Sequence, residues 1–145
     1  MALFRRWGSA EAARLCTRKL SGVKLIGVYN ANGGLAGELS YFFGHLIGRT
    51  DCKLCDITHS PFAKKAEWKA MEKRLHDELG VDFVLVHRNE RTDEQRAASD
   101  GREPCILIED NSGGLSMILD WTDLKLAAGS VPAFERAIRA KLLMY

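Results

Sequence analysis

The chain has 145 residues, 46% of them apolar and 28% charged, and a net charge of only +2. That length and balance fit one soluble globular domain that buries a core without disulfide staples, and so small a net charge lacks the footprint of a nucleic-acid binder. Four cysteines do not make a disulfide scaffold in a chain this long, and no apolar run approaches the ~20 residues of a membrane span, so a reducing cytoplasm is the expected compartment.

Residues 1–22 differ in character from the rest. Arg5, Arg6, Arg14, Arg18 and Lys19 stand against one acid, Glu11. Organellar transit peptides share this composition, but the reading adopted is a basic helical extension lying on the surface of a single domain over residues 23–145. Lys24 to Asn30 then reads as a mostly apolar strand buried on both faces, and Asn30 to Gly34 breaks it with turn residues.

Leu35 to Ile47 is apolar at helical spacing, with Gly33, Gly37, Ser40, Gly44 and Gly48 along one face. Glycine inside a helix costs roughly 0.5–1 kcal/mol relative to alanine, so the row asks for close packing against another backbone. Asn32-Gly-Gly-Leu-Ala-Gly37 follows a strand as a phosphate-binding loop would, yet it lacks both the dinucleotide spacing and the lysine-serine ending of a nucleotide loop. A serine-hydrolase elbow is also missing.

Asp51 is a candidate N-cap that places Cys52 at the first helical position, and Ser60-Pro61 is a second start signal. A helix is expected through Phe62–Leu79 with Trp68, Met71, Leu75 and Leu79 inward, stopped by Gly80. Val81 to His87 is a second strand. Thr92 or Asp93 caps a short polar helix to about Ser99, and Asp100-Gly101 turns the chain. Cys105–Glu109 and Leu115–Leu119 are strands joined by the Asp110–Gly114 turn, and Val131 to Met144 is the last helix. Crossovers followed by a hairpin predict a mixed four-stranded sheet between helices.

The chemistry concentrates around Cys52-Lys-Leu-Cys55, with His45 upstream and His59 four residues beyond. Thiol–disulfide exchange needs a thiolate and a nearby resolving thiol. A helix start lends positive potential at Cys52, Arg49 and Lys53 add to it, and Asp51 and Asp56 oppose it. Cys52 is then the nucleophile and Cys55 the resolving residue. The alternative is zinc held by His45, Cys52, Cys55 and His59, two nitrogens and two sulfurs for a tetrahedral site, with Cys55 and His59 on one helix face. A third reading makes the cysteines small buried apolar residues. Cys16 and Cys105 are expected to be inert, and His76 and His87 to be structural.

This order of elements resembles the thioredoxin fold. Cys52-Lys-Leu-Cys55 is similar to that family's redox motif at a helix start, Pro61 to its kinking proline, and Pro104 to its cis-proline before the third strand. Asp51-Cys52-Lys-Leu-Cys55 resembles the signature of the Asp-Cys-Cys thiol–disulfide oxidoreductases in that fold. The likeness implies a cis Glu103–Pro104 bond facing the cysteines. It also implies catalysis by Cys52 and Cys55 with Asp51, Pro104 and His59 in support, no organic cofactor, and a protein or small-molecule thiol or disulfide as substrate. In the family the cysteine pair follows the first strand almost directly. Here Ala31 to Asp51 intervenes, so the glycine-lined helix is an insertion beside the site.

Overall fold

The structure, a computed structural model, describes residues 19–30, 53–60 and 63–145. Its frame is a four-stranded mixed sheet with β1 (Lys24–Val28) at the centre. On one side β1 pairs in parallel with β4 (Asp82–Val86), Lys24 opposite Asp82. On the other it pairs antiparallel with β5 (Cys105–Glu109), Val28 opposite Cys105. β5 continues antiparallel to β6 (Leu115–Leu119), and the register shifts between Ile106 and Leu107, where one extra β6 residue is accommodated. A separate two-stranded hairpin pairs β2 (His59–Ser60) with β3 (Ala63–Lys64).

The alternation of a strand decides which side chains meet. Leu25, Ile106 and Ile108 face a large core made with Leu54 and Ile57 of α1 (Lys53–Thr58), Trp68, Met71 and Leu75 of α2 (Ala66–Leu79), and Phe134 and Ile138 of α5 (Val131–Leu142). Ile26, Val28, Cys105 and Leu107 face the other way into a smaller cluster under Ala98 of α3 (Asp93–Ser99). Both faces of β1 and β5 are therefore covered, and these strands are almost wholly buried, while the edge strand β4, as apolar in sequence, stays partly exposed.

The ends of the helices follow their capping chemistry. Thr92 and Gln95 form a reciprocal capping box at α3. Gly80 takes the left-handed conformation (φ 71°) that closes α2, its N–H donating to the His76 carbonyl at 2.9 Å. Ser130 caps α5, which carries Pro132 in its first turn. The Asp110–Gly114 turn is held by Asp110, whose carboxylate accepts from the backbone N–H of Ser112 and Gly114. Ahead of β1, the Leu20 N–H donates to the Leu79 carbonyl and its side chain packs on the large core.

Three expectations need correction or completion. The long helix does not begin at Ser60 or Phe62. Ala63 pairs with Ser60 in the hairpin, Lys65 donates to the Thr58 carbonyl at 2.9 Å, and α2 starts only at Ala66. A helix absent from the sequence reading, α4 (Trp121–Leu126), follows β6, capped by Asp120 through the N–H groups of Thr122 and Asp123. The expected helix Leu35–Ile47, with its small-residue face, and most of the basic extension lie outside the described residues.

Candidate functional site

Helix α1 brings the Cys55 region onto the sheet. Leu54, Ile57 and Thr58 are fully buried, while Lys53 and Asp56 sit on the outer side, joined by an ion pair at 3.9 Å. Gly27 in β1 makes this seating possible. A Cβ there would stand 3.2 Å from a Leu54 methyl and 2.7 Å from a Leu85 methyl, so glycine leaves the space into which Leu54 packs. Cys55 is half-buried against the large core and is disulfide-bonded. Cys105 is a free, buried thiol, so it is not the partner, and burial pushes that thiol up to about 12. Cys105 is thus buried in its strand, as expected, in surroundings that disfavour its thiolate. Cys16, Asp51, Cys52 and His45 lie outside the described residues.

His59 is not on a helix face shared with Cys55, as expected for the zinc alternative. α1 ends at Thr58, and His59 begins the β2–β3 hairpin, opposite Lys64. Its Nδ1 lies 2.6 Å from the Thr58 hydroxyl and 3.3 Å from the Tyr29 hydroxyl, and these two hydroxyls are 2.9 Å apart. Tyr29, at the end of β1, is almost completely buried between the rings of His59 and His87, and burial raises its phenol well above the ordinary tyrosine range against the opposing Thr58 hydrogen bond. His59 is therefore fixed to the sheet through one ring nitrogen. Among the described residues, no three histidine, cysteine or carboxylate side chains are grouped to hold a metal, and a disulfide-bonded Cys55 offers no thiolate for one. His76 and His87 make structural contacts: His76 pairs with Asp82 at 2.7 Å, and His87 with Glu90 at 2.8 Å.

The Glu103–Pro104 peptide bond is cis, as expected. Pro104 is buried where the chain enters β5. The residue before it is anchored by a buried ion pair that the sequence reading missed. Glu103 and Arg91 meet at 2.5 Å with side chains 3% and 4% exposed. Nη1 of the same guanidinium also donates to the Ser99 hydroxyl at 2.9 Å and Nε to the Arg88 carbonyl at 2.8 Å, while Nη2 lies 3.6 Å from Asp100, and Ser99 in turn donates to the Gln95 carbonyl. Among the described residues no buried side-chain nitrogen or oxygen, those of this pair included, is left without a hydrogen-bond partner, the condition under which a buried charge is tolerated. It ties the proline loop to the N-terminal approach and the body of α3. Nothing short of tertiary structure joins Arg91 to Glu103, twelve positions apart in a polar stretch.

These elements enclose an open cleft of about 250 Å³, lined by Asn30, Lys53, Glu103, Pro104, Trp121 and Lys125. The end of β1, the first residue of α1, the proline loop and the missed helix α4 each supply a wall. Asp120, which caps α4, is held below the usual carboxylate range by the N–H groups of Asp123 and Thr122. The reciprocal Asp120–Asp123 capping box was the signal in the sequence for this helix.

Comparison of the chain with known protein families, curated proteins and solved structures finds no match. Among the described residues, no helix is long and apolar enough to cross a membrane.

Proposed function

We propose that the chain is a thioredoxin-like thiol–disulfide oxidoreductase in which Cys52 and Cys55 form the redox pair. The observation that carries this reading is a juxtaposition. Lys53, which directly follows Cys52, shares a cleft with Pro104, while Cys55, two residues further on, is disulfide-bonded and Cys105 is not. The mixed sheet with its central β1 and the Cys55 helix packed directly on it support the same reading.

In the reduced form, the Cys52 thiolate attacks one sulfur of a substrate disulfide and expels the other half as a thiolate. The Cys55 thiol gives its proton to solvent and attacks the Cys52 sulfur of the mixed disulfide, expelling the second thiolate. Two electrons leave the protein dithiol, one S–S bond is made, and one is broken. The reverse sequence oxidises a substrate dithiol. Asp51 sits beside the nucleophile in sequence, Pro104 walls the cleft, and His59 braces the end of α1 through Thr58 and Tyr29.

Peptide mapping of the oxidised protein, together with exchange assays, tests this. Oxidation should yield a Cys52–Cys55 disulfide. The reduced protein should release two thiols per chain from a small neutral disulfide, Cys52→Ser should abolish release, and Cys55→Ser should accumulate a mixed disulfide on Cys52. A Cys16–Cys55 linkage, or no exchange by the fully reduced protein, would refute the proposal.

A further inference from the structure

Among the described residues, the walls of the cleft carry more positive than negative charge facing solvent. Among the described residues Glu103 is the carboxylate that lines it, and that group is turned inward to Arg91 at 2.5 Å, with Arg88 at 3.7 Å as a second cation. Asp120, next to Trp121, has its carboxylate occupied by the α4 N-terminus. Lys53 is paired to Asp56 at 3.9 Å. Lys125 is exposed, and no carboxylate lies within ion-pairing distance of it among the described residues. Arg102, also exposed, is near enough to depress Asp120 and to oppose the rise of Cys105. Trp121 is 53% exposed at the mouth, a flat apolar surface beside these cations. The cleft volume of about 250 Å³ is below the ~300 Å³ at which pockets begin to enclose whole small molecules. It suits one arm of a substrate whose remainder lies in solvent.

We infer that the cleft selects substrates carrying a carboxylate on the arm next to the reacting sulfur, held by Lys125 with Trp121 against the intervening apolar part. This inference rests on the redox reading for the identity of the reacting atoms, but the charge selection is a property of the cleft itself. The carboxylate belongs either to an acidic side chain of a polypeptide or to a small disulfide acid.

The test compares exchange of the reduced protein with 3,3′-dithiodipropionate, 2-hydroxyethyl disulfide and cystamine, which are anionic, neutral and cationic. Each rate is divided by that of dithiothreitol with the same disulfide, which removes intrinsic reactivity. The normalised rate should favour the anion over the cation by about tenfold at low salt, and the preference should shrink as salt screens it. Lys125→Glu, an exposed change whose folding is checked by circular dichroism, should remove or reverse the preference. Trp121→Ala should weaken the reaction with the anionic disulfide several-fold. A normalised rate independent of substrate charge, or a preference unchanged in Lys125→Glu, overturns the inference. Titration of the Cys52→Ser/Cys55→Ser protein with 3,3′-dithiodipropionate separates the two claims. A shift of the Trp121 indole resonance that is lost in Lys125→Glu sustains the cleft even if no exchange occurs, and no shift refutes it. A larger Lys125→Glu effect on a Glu-containing peptide disulfide than on the small acid identifies a polypeptide source, and the converse a small-molecule source.

Discussion

Replacing Arg91 by methionine keeps most of the side-chain volume but strands Glu103. Its carboxylate, 3% exposed in the native pair, would keep Arg88 as its nearest cation among the described residues, at 3.7 Å instead of the 2.5 Å of the native pair. Breaking a buried pair from one side costs about 3–5 kcal/mol because the remaining charge is left without adequate compensation. The Ser99 hydroxyl loses a donor as well, while Arg88 shifting inward offsets part of the loss, so we expect about 3 kcal/mol. Against a typical domain stability of roughly 5–15 kcal/mol this is a large fraction. Glu103→Gln should cost less, because Arg91 keeps Ser99, the Arg88 carbonyl and Asp100 at 3.6 Å. Denaturant unfolding monitored by far-ultraviolet circular dichroism measures both losses. In the redox reading, Arg91→Met should also slow exchange, since the pair anchors the residue before Pro104. A loss under about 1 kcal/mol for Arg91→Met would show that the pair is more hydrated, or the loop more adaptable, than its geometry indicates, and would refute the reasoning.

Under native conditions at pH 8, Cys105 should resist alkylation and become reactive only on unfolding, because burial raises its thiol to about 12; labelling at the rate of an exposed thiol would contradict this. Gly27→Val should destabilise by about 1–3 kcal/mol through overpacking against Leu54 and Leu85, read by the denaturation midpoint. Asp120 and Glu135 are held below their usual range, Asp120 first by the Asp123 N–H and Glu135 first by Arg74. Their contribution is complete above the unfolded values of about 4 and is lost as pH falls through the lower folded values. The acid-unfolding midpoint should therefore move to higher pH in Asp120→Asn and Glu135→Gln, and an unchanged midpoint would count against both assignments.

Elements whose residues satisfy a local rule were legible in the sequence. The apolar alternation of β5, the Asp110–Gly114 turn, the Thr92 cap and the stripe Phe134, Ile138 and Leu142 each specify their structure within a few residues. The failures lie where local rules compete. Ser60-Pro61 is a sound helix start taken alone, yet Ser60 and Ala63 pair across a hairpin and delay α2 to Ala66. α4 is only six residues long and has no apolar period to announce it, so only its capping box was available as a signal. The Arg91–Glu103 pair was invisible because charged residues in polar stretches read as surface, and burial of both is decided by α3 and β5 coming together.

The same distinction explains how the candidate site is built. The proposed redox residues Cys52 and Cys55 are close in sequence, but the groups that shape the cleft beside Lys53 come from four separated segments. Gly27 admits Leu54 and so fixes the height of α1 above the sheet. Arg91 fixes the loop at Pro104 from the opposite side of β5, and Asp120 fixes where α4 begins and hence where Trp121 stands. None of these three residues is a reactive group. Each spends its hydrogen bonds or its missing side chain on placing a neighbour, and it is the coincidence of the three placements that opens one cleft between Lys53, Pro104 and Lys125.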